Sequence, residues 1–479
     1  MEPAFEYKGE ANPEEVEAEI LDKAGNRTLE ESQELMAEST SLLEKRQRDG
    51  EKRICHADTV DDINTAKGTN SRGEKVEMQR FQEGGVGYAK INGGEMIMTS
   101  DIHGGKDNLT VPLKEFLERV AKGENVYFSC SGDITNEGND KLGSLEALLA
   151  AQQKYPDRVF ITPGNADRRG TSLFVGLVPE ISQKYLPAET FEDIEKETES
   201  ILKRLWQEQK EQVEKELEGK PDDQKLKKRL EKINEFATKK EGRRMDYDMI
   251  FGAVLMQAAR HAGAEPFDAK QFATRQIYFD FKDLLGIEGK STVLENSLGR
   301  ALISATRKIK NPERKIGNPE EIKRVFELWR GVDKVLNKLP TMQIIDTPQG
   351  RMMVSHTQPA KIDSLSPYVY NPVDQQEALW HRYNPEIEGI NEGKGHHTGY
   401  GPDVVAKFAT RNKIALAQFG HTHANRQEVL ESDGHKVMRL ELATSHRDKK
   451  NGPHYARVNL NRLDEVTGHP ENVIEQVKI

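Results

Sequence analysis

Residues 96–105 read MIMTSDIHGG. An apolar run stops at Asp101, skips one residue and presents His103 ahead of Gly104 and Gly105. The run has strand character, and the glycines allow the backbone to turn sharply and approach a ligand closely. Alone, such a stretch is no more than a strand ending in a polar turn, since Asp-x-His also arises by chance. What decides its meaning is how the other apolar runs of the chain end.

They end alike. NVYFSCSG (125–132) stops at Asp133, RVFITPG (158–164) at Asn165, RMMVS (351–355) at His356, and IALAQFG (414–420) at His421 and His423. The carboxyl ends of strands in an α/β sheet gather along one edge, where ligands bind. Asp101, His103, Asp133, Asn165, His356, His421 and His423 are therefore expected to converge, although they lie hundreds of positions apart. All offer carboxylate oxygen, amide oxygen or imidazole nitrogen, which suits hard or borderline metal ions. Sulfur is absent from the set, which excludes a structural zinc cluster of cysteines. Two neighbouring metals need a carboxylate between them to offset their repulsion, and Asp133 stands in the middle of the series. A two-metal site polarises a phosphoryl oxygen and makes a strong nucleophile from water at neutral pH.

Between these runs the pattern is helical. LTVPLKEFLERVAKG and LGSLEALLAAQQKYP separate the first three strands, so the fold class is α/β, a layered sheet covered by helices. VGYAKI and EMIMTS flank NGG, which reads as a β-hairpin. Residues 1–80 are polar and mostly helical, with a capping box at Thr28 and Glu31, and read as an N-terminal arm with too few apolar residues for a core. Residues 81–181 form the first part of the sheet domain. Residues 182–319 form an all-helical insertion, and residues 320–479 complete the sheet domain with MQIIDT, RMMVSHTQ, IALAQFGHTH, VMRLELATS and YARVNLN. Within the insertion, Ile201, Leu205, Val213 and Leu217 keep helical spacing, GKPDD breaks it, and Leu226, Leu230, Ile233 and Phe236 resume it. That is an antiparallel helical hairpin over about 195–240. Its charges read as a solvated face or as a docking surface for a protein partner.

The chain has 479 residues and a formal net charge of −10, which does not suggest nucleic-acid binding. Its two cysteines, Cys55 and Cys130, are far apart and argue against a disulfide scaffold. No run is apolar enough to span a bilayer, and MEPAFEYKGEANPEEVEAEI lacks the apolar stretch of a cleavable signal peptide. A cytoplasmic protein is expected, or one secreted by a route without such a peptide.

The series DIHGG, GDITNEG, GNAD, SH and GHTH resembles the calcineurin-like metallophosphoesterase superfamily. VFELWRGVDKVLNKLPTMQIIDTPQGRMMVSHTQPAKIDSLSP, ALWHRYNP and GKGHHTGYGPDVVAKFATRNKIALAQFGH resemble segments of its phosphoprotein phosphatase family. The resemblance covers about 85–179 and 320–447, and leaves out the arm and the insertion. It implies a layered β-sandwich flanked by helices and a site for two divalent ions, manganese first, with iron or zinc as alternatives. One ion would sit on Asp101, His103 and Asp133, and the second on Asp133, Asn165, His356 and His421. His423 matches the wider superfamily, where the last histidine of Gly-His-x-His completes the first ion's shell.

The chain also departs from the family. The third motif usually reads Gly-Asn-His followed by Glu or Asp, and its histidine assists the leaving group; here Ala166 stands in that place, beside Asp167. The second motif usually ends in Asp-Arg-Gly with the arginine on phosphate; here it offers Glu137. A second phosphate-gripping arginine aligns with Lys394, a point charge and not a fork. Candidates to make up the loss are Arg168, Arg169, His396 and His397, the last two as general acids from a glycine-flanked loop.

The expected function is hydrolysis of phosphomonoesters, on phosphoproteins with a phosphotyrosine preference, by in-line attack of metal-bound hydroxide without a covalent intermediate. Two alternatives stay open: a phosphodiesterase or nucleotide and small-molecule phosphatase, and a degenerate phosphatase that binds a protein through its hairpin. A helical arm and hairpin added to a bacterial-style phosphatase core would suit a secreted effector.

Overall fold

The computed structural model describes residues 12–50, 86–167, 176–238, 244–264, 316–357, 382–391, 399–445 and 452–479. The chain divides into two compact units, one of Met1–Arg168 with Gly331–Ile479 and one of Arg169–Arg330. The strands in chain order are β1 (Val86–Lys90), β2 (Glu95–Thr99), β3 (Val126–Ser131), β4 (Val159–Thr162), β5 (Met342–Thr347), β6 (Gly350–Ser355) and β7 (Arg382–Tyr383). They continue with β8 (Ile390–Asn391), β9 (Gly399–Tyr400), β10 (Ile414–Phe419), β11 (Arg426–Ser432), β12 (His435–Glu441), β13 (His454–Asn459) and β14 (Ile474–Lys478). The helices are α1 (Pro13–Glu17), α2 (Leu29–Gly50), α3 (Lys106–Ala121), α4 (Lys141–Lys154), α5 (Leu177–Tyr185) and α6 (Ala188–Gly219). After them come α7 (Gln224–Thr238), α8 (Arg244–His261), α9 (Pro319–Lys338) and α10 (Pro402–Asn412). The α/β class expected from the alternating pattern is what the chain adopts.

The first unit is built on a sheet of order β14-β13-β2-β3-β4 and a sheet of order β1-β5-β6-β10-β12-β11. β2, β3 and β4 run parallel, with α3 and α4 as their crossovers. β10 lies parallel to both β6 and β12. Met96, Met98, Met352, Val354, Leu416, Met438 and Leu440 fall on one face of their strands and form a single buried cluster with Ala456 and Val458. Met353, Ala417, Phe419 and Val437 point the other way and pack with Val405 and Phe408 of α10. This period-two division puts apolar residues on both faces of the central strands, as burial between two layers requires.

NGG does not close a hairpin. β1 pairs with β5 in the six-stranded sheet, whereas β2 pairs with β3 and β13 in the other. The glycines Gly93 (φ 78°) and Gly94 (φ 103°) carry the chain from one sheet to the next. β2 buries both faces and needs a neighbour on each side; β1 is an edge strand. β11, which no alternating apolar pattern marks in the sequence, joins β12 through a two-residue Asp433–Gly434 turn with positive φ at both positions.

The described part of the N-terminal segment contributes to the core, contrary to its polar composition. Val16, Ile20, Leu35, Met36 and Leu43 are buried. Glu146 of α4 is fully buried and accepts from the Gly25 backbone N–H (2.8 Å) and the Ser32 hydroxyl (2.5 Å). Gln153 of α4 donates to the Leu35 carbonyl (3.0 Å). The capping box at Thr28 and Glu31 forms, with the Thr28 N–H donating to the Glu31 carboxylate (2.8 Å) and the Glu31 N–H to the Thr28 hydroxyl (3.2 Å).

The second unit is helical in its described residues. Asp223 caps α7 by accepting from the N–H groups of Lys225 (2.9 Å) and Leu226 (3.2 Å), after a short turn from α6. Ile201, Trp206 and Val213 of α6 and Ile233 of α7 are buried. Phe191 and Phe251 stack at 5.5 Å, tying α6 to α8. Among the described residues no helix is long and apolar enough to cross a membrane.

Candidate metal centre

The seven donors predicted from strand ends all lie in the first unit, on the loops that follow β2, β3, β4, β6 and β10. Three of these loops, with four donors, follow strands of the five-stranded sheet, and two, with three donors, follow strands of the six-stranded sheet, so the site is set by how the two layers face each other. Gln418 links the layers beneath it: its amide donates to the Thr99 carbonyl (2.7 Å) and its oxygen accepts from the Ser129 hydroxyl (2.7 Å).

The donors fall into two groups. Asp101, His103, Asp133 and His423 place their ligand atoms within 4.8 Å of one another. His103 Nε2 lies 3.1 Å from His423 Nε2, 3.5 Å from Asp101 Oδ1 and 3.7 Å from Asp133 Oδ2. In the second group, Asn165 Oδ1 is 3.0 Å from His356 Nε2 and 2.9 Å from His421 Nδ1, and His356 Nε2 is 3.4 Å from Asp133 Oδ1. The two Asp133 oxygens thus face different groups. His356 Nδ1 lies 2.8 Å from the Ser131 carbonyl, which can only accept, so Nδ1 carries a proton and Nε2 is the nitrogen left to serve as a ligand.

Close backbone approach holds these loops. The Asp101 N–H donates to the Gly132 carbonyl (3.0 Å), the His103 N–H to the Asp133 carbonyl (2.7 Å) and the Gly420 N–H to the His356 carbonyl (3.0 Å). The His421 N–H donates to Asp101 Oδ2 (2.9 Å). A Cβ on Gly164 would stand 2.0 Å from Asp133 Oδ1, and one on Gly420 would stand 2.0 Å from Ser100 Oγ. Asp101 (φ 48°), His103 (φ 51°), Asp133 (φ 51°), His421 (φ 72°) and His423 (φ 53°) all occupy the left-handed region. That conformation costs about 1–2 kcal/mol per non-glycine residue and persists only where the surroundings over-determine it.

The electrostatics fit bound cations. Burial pushes the Asp101 and Asp133 carboxyls above the usual carboxylate range, with nearby histidines acting against it. Burial pulls the His356 imidazole down, but the Asp133 and Asp101 carboxylates outweigh it and hold it above its ordinary value. Burial lowers His423. Two buried carboxylates and two imidazole nitrogens aimed at one point are costly without a positive charge among them. The donor set is that of a divalent cation site.

Asp167 takes another place. Its oxygens accept from the N–H groups of Ile134 (3.0 Å), Thr135 (2.9 Å) and Gly164 (2.8 Å) and from the Thr135 hydroxyl (2.8 Å). With so many donors in a buried position, its carboxylate ties the Asp133 loop to the Asn165 turn. Asp167→Ala leaves these donors unpaired at about 1–3 kcal/mol each, so its denaturation midpoint should fall markedly. An unchanged midpoint would show that water replaces the carboxylate. Ala166 is buried, and its N–H donates to Asp133 Oδ1 (3.0 Å). Cys130 is buried, and burial pushes its thiol up to about 12, which removes it as a nucleophile. Glu137 is exposed at a positive φ of 55°. Arg168, Arg169, Lys394, His396 and His397 lie outside the described residues.

Strand-end reasoning overlooked the residues behind the donors: Gln418, Ser131, Arg439 and Glu441. The last two had a signal, since charges at alternate positions of the apolar run VMRLELATS place an ion pair on one strand face.

Residues 96–233 match the family of calcineurin-like phosphoesterases. The match contains Asp101, His103, Asp133 and Asn165; His356, His421 and His423 lie beyond it. No curated protein matches the chain. A protein serine/threonine phosphatase from Saccharomyces cerevisiae with similarity to human phosphatase PP5 superposes at a TM-score of 0.46 with 11% identity, over 98% of this chain and 96% of that one. A likeness at that score adds no weight. The match over residues 96–233 and the convergence of Asp101, His103, Asp133 and His423 support a calcineurin-like phosphoesterase domain in that part of the chain, and with it the hydrolysis of phosphoric esters.

Proposed function

We propose that this protein is a dinuclear phosphatase that hydrolyses phosphomonoesters on phosphorylated proteins, with manganese as its metal. The observation that carries the reading is Asp133, whose two oxygens face two separate donor groups at the edge of both sheets. Asp101, His103, Asp133 and His423 would hold one ion, and Asp133, Asn165, His356 and His421 the other. Bound there, divalent ions supply Lewis acidity to the phosphoryl oxygens and a water-derived nucleophile at neutral pH. The protein's part is orientation. The Ser131 carbonyl fixes the His356 tautomer, the stitched loops hold the ligands against backbone strain, and burial removes competing water. Asp167 is committed to backbone donors, so a proton for the leaving group has to come from elsewhere; His396 and His397 are the candidates, with Lys394 and Arg168 as phosphate-holding cations.

A phosphodiesterase or nucleotide phosphatase remains the second reading, favoured by Ala166 in the place of the family's histidine. Metal-stripped protein should be inactive and less heat-stable, and manganese should restore both. Phosphate release from phosphopeptides, nucleotides and a generic diester then separates the readings; turnover of the diester alone would overturn the first.

The helical hairpin of α6 and α7 supplies none of the seven donors. Replacing 210–230 with a short Gly-Ser linker is expected to leave hydrolysis of a small aryl phosphate unchanged. Lost turnover in a folded deletion would show that the hairpin helps build the site, and loss on a protein substrate only would assign it to docking.

A further inference from the structure

Thr422 lies between His421 and His423, and both neighbours hold left-handed backbone. Its N–H donates to the Gly420 carbonyl (2.9 Å), and its hydroxyl donates to Glu441 Oε1 at the end of β12. The other oxygen of Glu441 accepts from Arg439 Nη2 at 2.8 Å. Arg439 and Glu441 are both buried, at 1% and 0% exposure, which is rare for an arginine and a glutamate. They stand two residues apart on β12, on the same side as Val437, which packs with Phe419 of β10 and with α10. The Arg439 guanidinium stacks 3.7 Å from the centre of the Tyr383 ring, and the Tyr383 hydroxyl donates to Glu428 Oε2 (2.5 Å). Among the described residues, Arg439 Nε and Nη1 have no hydrogen-bond partner.

A buried ion pair adds little net stability, because desolvation offsets its attraction. This one instead has a fixed direction. Arg439 is clamped by an aromatic face, Glu441 is clamped by Arg439, and the free oxygen of Glu441 meets the hydroxyl of the residue between two metal donors. We propose that Thr422, Glu441 and Arg439 form a positioning relay that holds the His421–Thr422–His423 loop in its strained, ligating conformation. The relay acts on both donor groups at once, since His421 faces Asn165 and His423 faces His103. It rests on the proposed two-metal reading.

The test is manganese binding by calorimetry on full-length protein, with thermal unfolding of the chelator-treated protein alongside. Thr422→Val keeps the shape and removes the hydroxyl; Thr422→Ser keeps the hydroxyl. Groups that orient metal ligands typically account for about 10–100-fold in metal affinity, so Thr422→Val should weaken manganese binding by that factor. Thr422→Ser should restore it. Metal-free Thr422→Val should unfold somewhat earlier than wild type, because Glu441 loses a buried donor, whereas metal-free Thr422→Ser should unfold with wild type; affinities are therefore compared at a temperature where every variant is folded. Glu441→Gln should weaken binding in the same direction, and combining it with Thr422→Val should add little, since both break one chain. Equal affinity of Thr422→Val and wild type overturns the relay, as does a Thr422→Ser variant no better than valine. Should Thr422→Val not fold, Glu441→Gln decides alone, and wild-type affinity there overturns the relay. A wild-type protein that binds no manganese overturns the two-metal reading instead, so the two failures are distinct.

Discussion

Asp133→Asn is expected to bind fewer than two manganese ions and to lose about 10³-fold or more in kcat with an aryl phosphate. Removing one charge from the carboxylate between the two donor groups weakens both at once. Metal ions contribute several kcal/mol of charge stabilisation, and about 1.4 kcal/mol corresponds to tenfold in rate. The same substitution should not lower the stability of the metal-free protein. There, Asp133 is a buried carboxylate raised by burial and by the neighbouring Asp101 charge, so a neutral amide relieves a cost. Metal analysis, steady-state kinetics and thermal unfolding with and without manganese check each part. Two bound ions with undiminished turnover would exclude Asp133 as the bridge.

The second large effect concerns position 166. General-acid assistance is typically worth about 10²–10⁴-fold, and an alkyl phosphate such as phosphoserine needs it far more than an aryl ester. Ala166 offers no proton, and its backbone N–H is committed to Asp133. Its neighbour Asp167 is taken up by the loop donors. kcat/KM on matched phosphotyrosine and phosphoserine peptides should therefore favour phosphotyrosine by a large factor. Ala166→His should narrow the gap if the new imidazole reaches the leaving oxygen. Equal values on the two peptides would mean that another group supplies the proton, and His396 and His397 would be the first to replace.

The strand ends were legible because they are local. An apolar run followed by glycine and a ligand-type residue needs no knowledge of the rest of the chain, and each of the motifs at Asp101, Asp133, Asn165, His356 and His421 ends a strand in the structure. The capping box at Thr28 and Glu31 was legible for the same reason: its partners are three residues apart. Pairing is not local. VGYAK and EMIMT flank a turn-like NGG, yet enter different sheets because β2 must bury both faces and β1 only an edge. β11 and β14 are edge strands with many exposed positions, so no alternating apolar pattern announces them.

The amino-acid sequence by itself determined the α/β pattern, the chemical types of the donors and their place at strand ends, since these depend on composition and short-range spacing. Only the tertiary structure decided which donors meet, because two sheets joined by Gln418 bring loops from 101 to 423 together. It also decided that Glu146 anchors the N-terminal helices, that Asp167 serves the loops, and that Arg439 and Glu441 stand behind Thr422. The physical reason is common to all of these. A buried polar group must find partners, and which partners it finds depends on what the packed chain places beside it.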